Sequence, residues 1–268
     1  MPKKKLKTAR PTRPSVAVQR EYQKKLEQLI DRMNRSTVYW LKAEYRKEFP
    51  QLAQDTLPSK ALSEKLHKIM KKWRKEFNED AEVISDWFVH KLYRFVKNSV
   101  YQSLKDAGLV IHKRMTRSEM DVLRSLIIQN VSLIKTIPDR YFSDIEFLVQ
   151  ACVQNGRDMG YLTAELEKRY NVTHKRAVVI SRDQTNKATE QMSMERNKAL
   201  GITQGIWMHT SGGKTYRSTH VAMNGKVFNL NEGLYDPDVG HNVLPAECIN
   251  CRCTFKPVIP FVINEDDL

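Results

Sequence analysis

Residues 174–209 read HKRAVVISRDQTNKATEQMSMERNKALGITQGIWMH, and the change of texture inside this stretch decides the fold class. His174 to Leu200 reads as one long helix, closed by Gly201 at the position that favours a left-handed cap. Beyond Gly201 the pattern becomes short apolar runs separated by turn residues. In VAMNGKVFNL, Asn224-Gly225 sits between two such runs and is a strong local hairpin signal. NEGLYDPDVGHNVLPAE reads as loop, and CRCTFKPVI as a last strand ended by Pro257 and Pro260. Helices therefore come first, strands and long loops last. That order predicts an α+β fold, a mainly helical N-terminal two-thirds followed by a small antiparallel sheet, rather than a doubly wound parallel sheet.

Toward the N-terminus the helical pattern continues. Tyr22, Leu26, Leu29, Met33, Tyr39 and Leu41 recur in a charged background between Val16 and Glu48. FPQLAQDTLPS, from Phe49 to Ser59, is a break, and Leu62, Leu66, Ile69, Met70, Trp73 and Phe77 form the next stripe. After a short interruption a further stripe is predicted from Val83, Trp87, Leu92, Phe95, Val96 and Tyr101, ending near Gly108. Thr116 and Ser118 stand as candidate caps before Met120, Leu123, Ile127, Val131 and Ile134, a helix expected to end at Pro138. Helical patterns resume from Tyr141 to Gln154 and from Thr163 to Tyr170.

Of 268 residues, 41% are apolar and 28% charged, with Gly and Pro at 10 each, which excludes collagen-like and wholly disordered chains. Lys and Arg number 45 against 31 acidic residues, a net charge of +14. Such a balance points to a polyanionic partner, nucleic acid first. The first 25 residues carry nine basic side chains against Glu21 alone. No apolar run follows them, so a secretory signal is not expected. Pro2, Pro11 and Pro14 among those charges predict a flexible arm over residues 1–15. Its Lys3, Lys4, Lys5, Lys7, Arg10 and Arg13 are candidate DNA contacts, the alternative being a solubilising tail. No stretch approaches the roughly 18 apolar residues of a membrane span.

Cys248, Cys251 and Cys253 form C-x-x-C-x-C after His209, His220 and His241. Zinc takes thiolate and imidazole in tetrahedral sets, so Cys248, Cys251, Cys253 and one His, with His220 the candidate, are a potential structural zinc site. Two alternatives stand: buried core cysteines, or a Cys248–Cys251 disulfide. His220 near a metal also suggests water activation in a nuclease, yet no paired carboxylates accompany it. Glu232, Asp236 and Asp238 all fall in the predicted loop. A buried, hydrogen-bonded His220 that pins the hairpin is the preferred reading. On the long helix Arg182, Asn186, Thr189, Ser193 and Asn197 share one polar face, which either docks loop backbone or meets solvent. Phosphate loops, dinucleotide-binding glycine motifs and nucleophile elbows are missing from the sequence, and Ser211-Gly212-Gly213-Lys214 is only a short glycine turn.

Taken as one string, ISRDQTNKATEQMSMERNKALGITQGIWMHTSGGKTYRSTHVAMNGKVFNL followed by LPAECINCRCTFKPV resembles the head-morphogenesis domain of the phage Mu protein F-like minor head proteins. The matching elements are Arg182, Asn197 with Gly201, Trp207, Arg217-x-x-His220, Asn224-Gly225, Pro245 and Cys251-Arg252-Cys253. Of these, Arg182, Asn197, Trp207, Arg217, His220 and Gly225 are taken as structural motif residues. The resemblance covers about residues 100 to 258 and implies a head-morphogenesis-like α+β domain over 101–258, which leaves the arm over 1–15, a helical region over 16–100 and an acidic tail over 259–268 as read from composition and pattern. It implies a virion component, present in the host cytoplasm during assembly, whose partners are the portal protein, other head proteins and double-stranded DNA. A catalytic role and a small-molecule substrate are not expected. The glycine-rich, basic SGGKTY before Arg217 replaces the acidic segment associated with many relatives.

Overall fold

In a computed structural model of the chain, residues 6–48, 58–109, 111, 114–154, 159–210 and 216–260 are described. Four long helices come first: α1 (Val16–Glu48), α2 (Pro58–Asp106), α3 (Arg117–Gln154) and α4 (Met159–Ala199). Then follow β1 (Gln204–Met208), the short helix α5 (Ser218–Ala222), β2 (Val227–Asn229), β3 (Leu234–Asp236), β4 (His241–Val243) and β5 (Thr254–Val258). The α+β order read from the sequence is the order of the fold.

The chain divides into two compact units, each assembled from separated segments. One comprises Arg20–Trp87 and Ile127–Ser181, the other Met1–Gln19, Phe88–Leu126 and Arg182–Leu268. A sequence boundary near residue 100 is therefore not a unit boundary.

In the all-helical unit the stripes at three- and four-residue spacing are buried: Tyr22, Leu26, Leu29 and Met33 on α1, and Leu62, Leu66, Ile69, Trp73 and Phe77 on α2. Tyr39 and Val83, expected on those stripes, are exposed instead. The buried row of α2 runs on through Ala81 and Ser85 to Phe88 and Leu92 without interruption, small residues having hidden its continuity. Pro138 does not end α3 but lies inside it. The proline removes one amide donor to the Ile134 carbonyl. Apolar burial on both sides, by Ile134, Ile137, Tyr141, Phe142 and Ile145, carries the helix through.

In the other unit, Thr116 caps α3 in a reciprocal box. The Glu119 amide donates to Thr116 Oγ1 (3.2 Å) and the Thr116 amide to Glu119 Oε2 (2.7 Å). α4 closes as its sequence predicts. Gly201 has φ +83°, and the Ile202 and Gly201 amides donate back to the Asn197 and Lys198 carbonyls.

β1 is the centre of a three-stranded antiparallel sheet in the order β2-β1-β5, with Gly205 opposite both Phe228 and Pro257. A Cβ at Gly205 would come within 2.8 Å of the Phe255 ring, so glycine lets the aromatic side chains close over the strand. β3 and β4 form a separate hairpin inside the stretch read as loop. The Asn224-Gly225 turn also differs from expectation. The VAM before it belongs to α5 and its end, so the turn links a helix to β2, and β2 pairs with β1.

The expectation of a flexible arm does not hold for residues 7–15. The Ala9 amide donates to the Pro257 carbonyl (3.0 Å) and the Ile259 amide to the Lys7 carbonyl (2.9 Å), placing the arm along the free edge of β5. Pro257 does not end β5 but lies within it, because its missing amide faces this edge rather than β1. Ala9, Thr12 and Ser15 are buried. Lys3, Lys4 and Lys5, and residues 261–268 of the acidic tail, lie outside the described residues.

Candidate functional site: a sealed Cys/His cluster beside a basic cavity

The polar face of α4 is buried, and its N-terminal part docks the cysteine loop, while Thr189 and Asn197 bond back to the Thr185 and Ser193 carbonyls of the helix. Thr189, Ser193 and Asn197 are fully buried and Asn186 nearly so. Asp183 Oδ1 accepts the Asn250 amide (2.6 Å), Arg182 Nη2 donates to Asn250 Oδ1 (3.1 Å), and Asn186 Nδ2 reaches the Cys251 carbonyl (3.5 Å). Arg217, just before α5, donates to the Ile249 carbonyl (3.3 Å). These four side chains hold the Cys248–Cys251 turn, itself closed by the Cys251 amide on the Cys248 carbonyl (3.0 Å). Asn250 takes a left-handed φ of +61° there, a conformation asparagine tolerates.

The turn delivers Cys251, and β5 begins just after Cys253. His220 on α5 meets both. Its Nδ1 lies 3.3 Å from Cys251 Sγ and 3.7 Å from Cys253 Sγ, while Nε2 lies 3.1 Å from Asp236 Oδ2. His220 is 2% exposed and Asp236 0%. Trp207 packs edge-on to the His220 ring at 5.4 Å. His209, just after β1, has Nδ1 3.6 Å from Cys253 Sγ. All four cysteines are free, so the Cys248–Cys251 disulfide is not formed. Cys248 groups instead with His220 and Asp236, their ligand atoms within 4.8 Å of one another, as are those of His220, Cys251 and Cys253.

The electrostatics follow from these contacts. Hydrogen bonds from the Cys253 thiol and the His220 ring favour a Cys251 thiolate against the cost of burial and hold its pKa well below the usual thiol range. The neighbouring Cys251 and burial push Cys253 up. His220 is raised, first by Cys251 and then by Asp236, with burial opposing. For Asp236 burial opposes ionisation, yet the Asp238 amide, the Thr219 hydroxyl and His220 together hold its carboxyl below the usual range. Glu190 on α4 is fully buried, and desolvation raises its pKa well above the ordinary value, with Thr254 opposing and Cys251 adding to the rise.

Beside this cluster lies a cavity of about 560 Å³ lined by Arg13, Arg182, Asn186, His209, Thr210 and Arg252, among others. It joins Arg13, a candidate DNA contact, to Arg182, a structural one, and adds Arg252. Arg10 is instead ion-paired with Asp106. Residues 211–215, which include Lys214, lie outside the described residues. Asp236 escaped sequence reasoning as a partner of His220. Its signal was present in Asp236-Pro237-Asp238, where the Asp238 amide bonds back to Asp236 Oδ1 (3.0 Å) in a local turn.

The fold and site define an α+β domain in which a polar helix face clamps a cysteine turn over a small sheet. Residues 143–256 match the family described as Phage Mu protein F like protein. A curated relative from Haemophilus influenzae, described as an uncharacterized protein, is 27% identical over 198 residues, 72% of this chain and 43% of its own. The chain thus spans less than half the length of that relative. No solved structure matches. Among the described residues, no helix is long and apolar enough to cross a membrane.

Proposed function

We propose that this chain is a minor head protein of a tailed phage that acts in head morphogenesis or genome delivery, joins the portal and other head proteins, and binds double-stranded DNA without sequence preference. The observation that carries this reading is the Phage Mu protein F-like match over residues 143–256. The net charge of +14 and the arginine-lined cavity support the DNA component, since Lys and Arg that neutralise phosphates release condensed counterions. Phosphate contacts position a protein on DNA and carry no sequence information directly. On this reading the protein resides in the virion and, during assembly, in the host cytoplasm.

The competing reading is a metal-dependent nuclease or nucleotide-modifying enzyme that uses His220 with Cys248, Cys251 and Cys253. Burial argues against it. A base that activates water for attack on a phosphate has to meet the phosphate, and His220 and Asp236 are sealed. Two measurements test the proposal: co-expression with the portal protein of the same phage, and DNA affinity as a function of salt. A stable portal complex is expected, together with log affinity falling linearly with log salt for any duplex of equal length. Failure to bind duplex at low salt, with no portal complex, would overturn the reading.

A further inference from the structure

Two segments far apart in sequence deliver nitrogen and sulfur to one point, and a third places an imidazole beside it. The end of β1 leads to His209, α5 carries His220, and the approach to β5 carries Cys251 and Cys253. Around a tetrahedral zinc ion, with Zn–S about 2.3 Å and Zn–N about 2.0–2.1 Å, a sulfur and a nitrogen ligand sit about 3.5 Å apart. The three sulfur–nitrogen separations here are 3.3, 3.7 and 3.6 Å. A single thiol–imidazole hydrogen bond would account for one such contact. It does not account for two sulfurs facing the same ring nitrogen, with a second imidazole beside one of them.

The far side of His220 supplies an independent observation. Its Nε2 is held by the buried Asp236 carboxylate, itself fixed by the Asp238 amide. Histidines that ligate zinc are oriented in this way, by a carboxylate on the nitrogen that does not bind the ion. With the proton held at Nε2, metal binding would displace the one at Nδ1 and present that nitrogen beside the two sulfurs.

We propose that His220, Cys251 and Cys253 bind one zinc ion, with Asp236 as the outer carboxylate and His209, beside Cys253, as a neighbouring imidazole. The set differs from the one expected from spacing, because Cys248 lies with Asp236 rather than completing the ligands. Buried between α5 and the approach to β5, the ion would join these two segments. The sheet has three strands, and its apolar cluster centres on Trp207, Phe228 and Phe255, so a metal cross-link supplements a small core.

The test uses the full chain, purified reduced and without chelator. Elemental analysis should find stoichiometric zinc. The zinc-depleted protein titrated with Co²⁺ should show the intense d–d bands of tetrahedral cobalt and a thiolate-to-cobalt charge-transfer band. Cys251→Ser with Cys253→Ser should abolish both. If that variant does not fold, Asp236→Asn carries the test, and it should weaken metal affinity about 10- to 100-fold. A folded, reduced wild type that takes up neither zinc nor cobalt would overturn the proposal. So would a cobalt spectrum that Cys253→Ser leaves unchanged.

Discussion

The helix α4 is buried by different means in its two parts. In the all-helical unit its buried positions are Leu162, Leu166, Ala177 and Ile180, with Glu165, Thr173 and Ser181 among them. From Asp183 onward polar positions dominate, Gln184, Thr185, Asn186, Thr189, Glu190, Ser193, Arg196 and Asn197 outnumbering the apolar Ala188, Met192 and Met194. Apolar burial is non-directional and scales with area, so it stabilises without fixing atoms. Hydrogen bonds in a buried polar face are directional and costly when unmet, so a face of this kind fixes the position of what it touches. Here it fixes the cysteine turn, and through it the His220 cluster. The helical unit follows the more general folding rule, while the other carries the features specific to this domain.

The largest effects should come from breaking each device at its strongest point. Phe77→Ala, in the all-helical unit, should cost about 3–5 kcal/mol in thermal or denaturant unfolding. Arg196, 5% exposed, donates to both oxygens of Glu119, so Arg196→Ala should cost a similar 3–5 kcal/mol by leaving a buried carboxylate unpaired. Arg196→Met combined with Glu119→Gln should recover part of that loss, since glutamine keeps the acceptor for the Thr116 amide. An additive double variant would show that the pair is not the source of the cost. His220→Ala should lower stability by about 1–3 kcal/mol, since Asp236 loses a buried partner, and should impair incorporation into heads.

Glu190 sharpens the contrast through pH. Its pKa is raised in the folded state, so its contribution is fully present below the unfolded value of about 4.3 and is lost as pH rises toward the folded value. Glu190→Gln removes the ionisation. The variant should therefore gain stability relative to wild type as pH rises above that unfolded value, read as a difference in melting temperature at two pH values. A difference that does not change with pH would contradict the raised carboxyl.

The smallest effect belongs to the arm. Deleting residues 1–6 spares the Lys7 and Ala9 hydrogen bonds to the sheet edge, so stability should be unchanged. The slope of log DNA affinity against log salt should fall by about 0.9 for each lost phosphate contact. An unchanged slope would remove Lys3, Lys4 and Lys5 from the DNA surface. Deleting residues 1–15 should additionally lower the melting temperature, because it exposes the β5 edge.

What was legible in the sequence follows the same division. Tyr22, Leu26, Leu29 and Met33 announce their buried face because large apolar residues recur at helical spacing. The stripe fades after Phe77 only because Ala81 and Ser85 occupy the buried row. The polar face of α4 is visible as a periodicity, but periodicity does not say whether polar groups meet backbone or water. β3 and β4 are three residues each, too short for alternation to show, and reading them as loop concealed Asp236 as the partner of His220. The clustering of His209 and His220 with Cys251 and Cys253 depends on β1–β5 pairing, which local sequence does not encode.

The central claim is that the His220 cluster holds the domain together rather than performing chemistry on DNA. The most direct test incubates supercoiled plasmid with pure wild-type protein and with His220→Ala, across divalent ions, with the melting temperature of each recorded alongside. Intact plasmid is expected with both proteins, together with a lower melting temperature for the variant. Robust cleavage by wild type that disappears in a stably folded His220→Ala protein would contradict it.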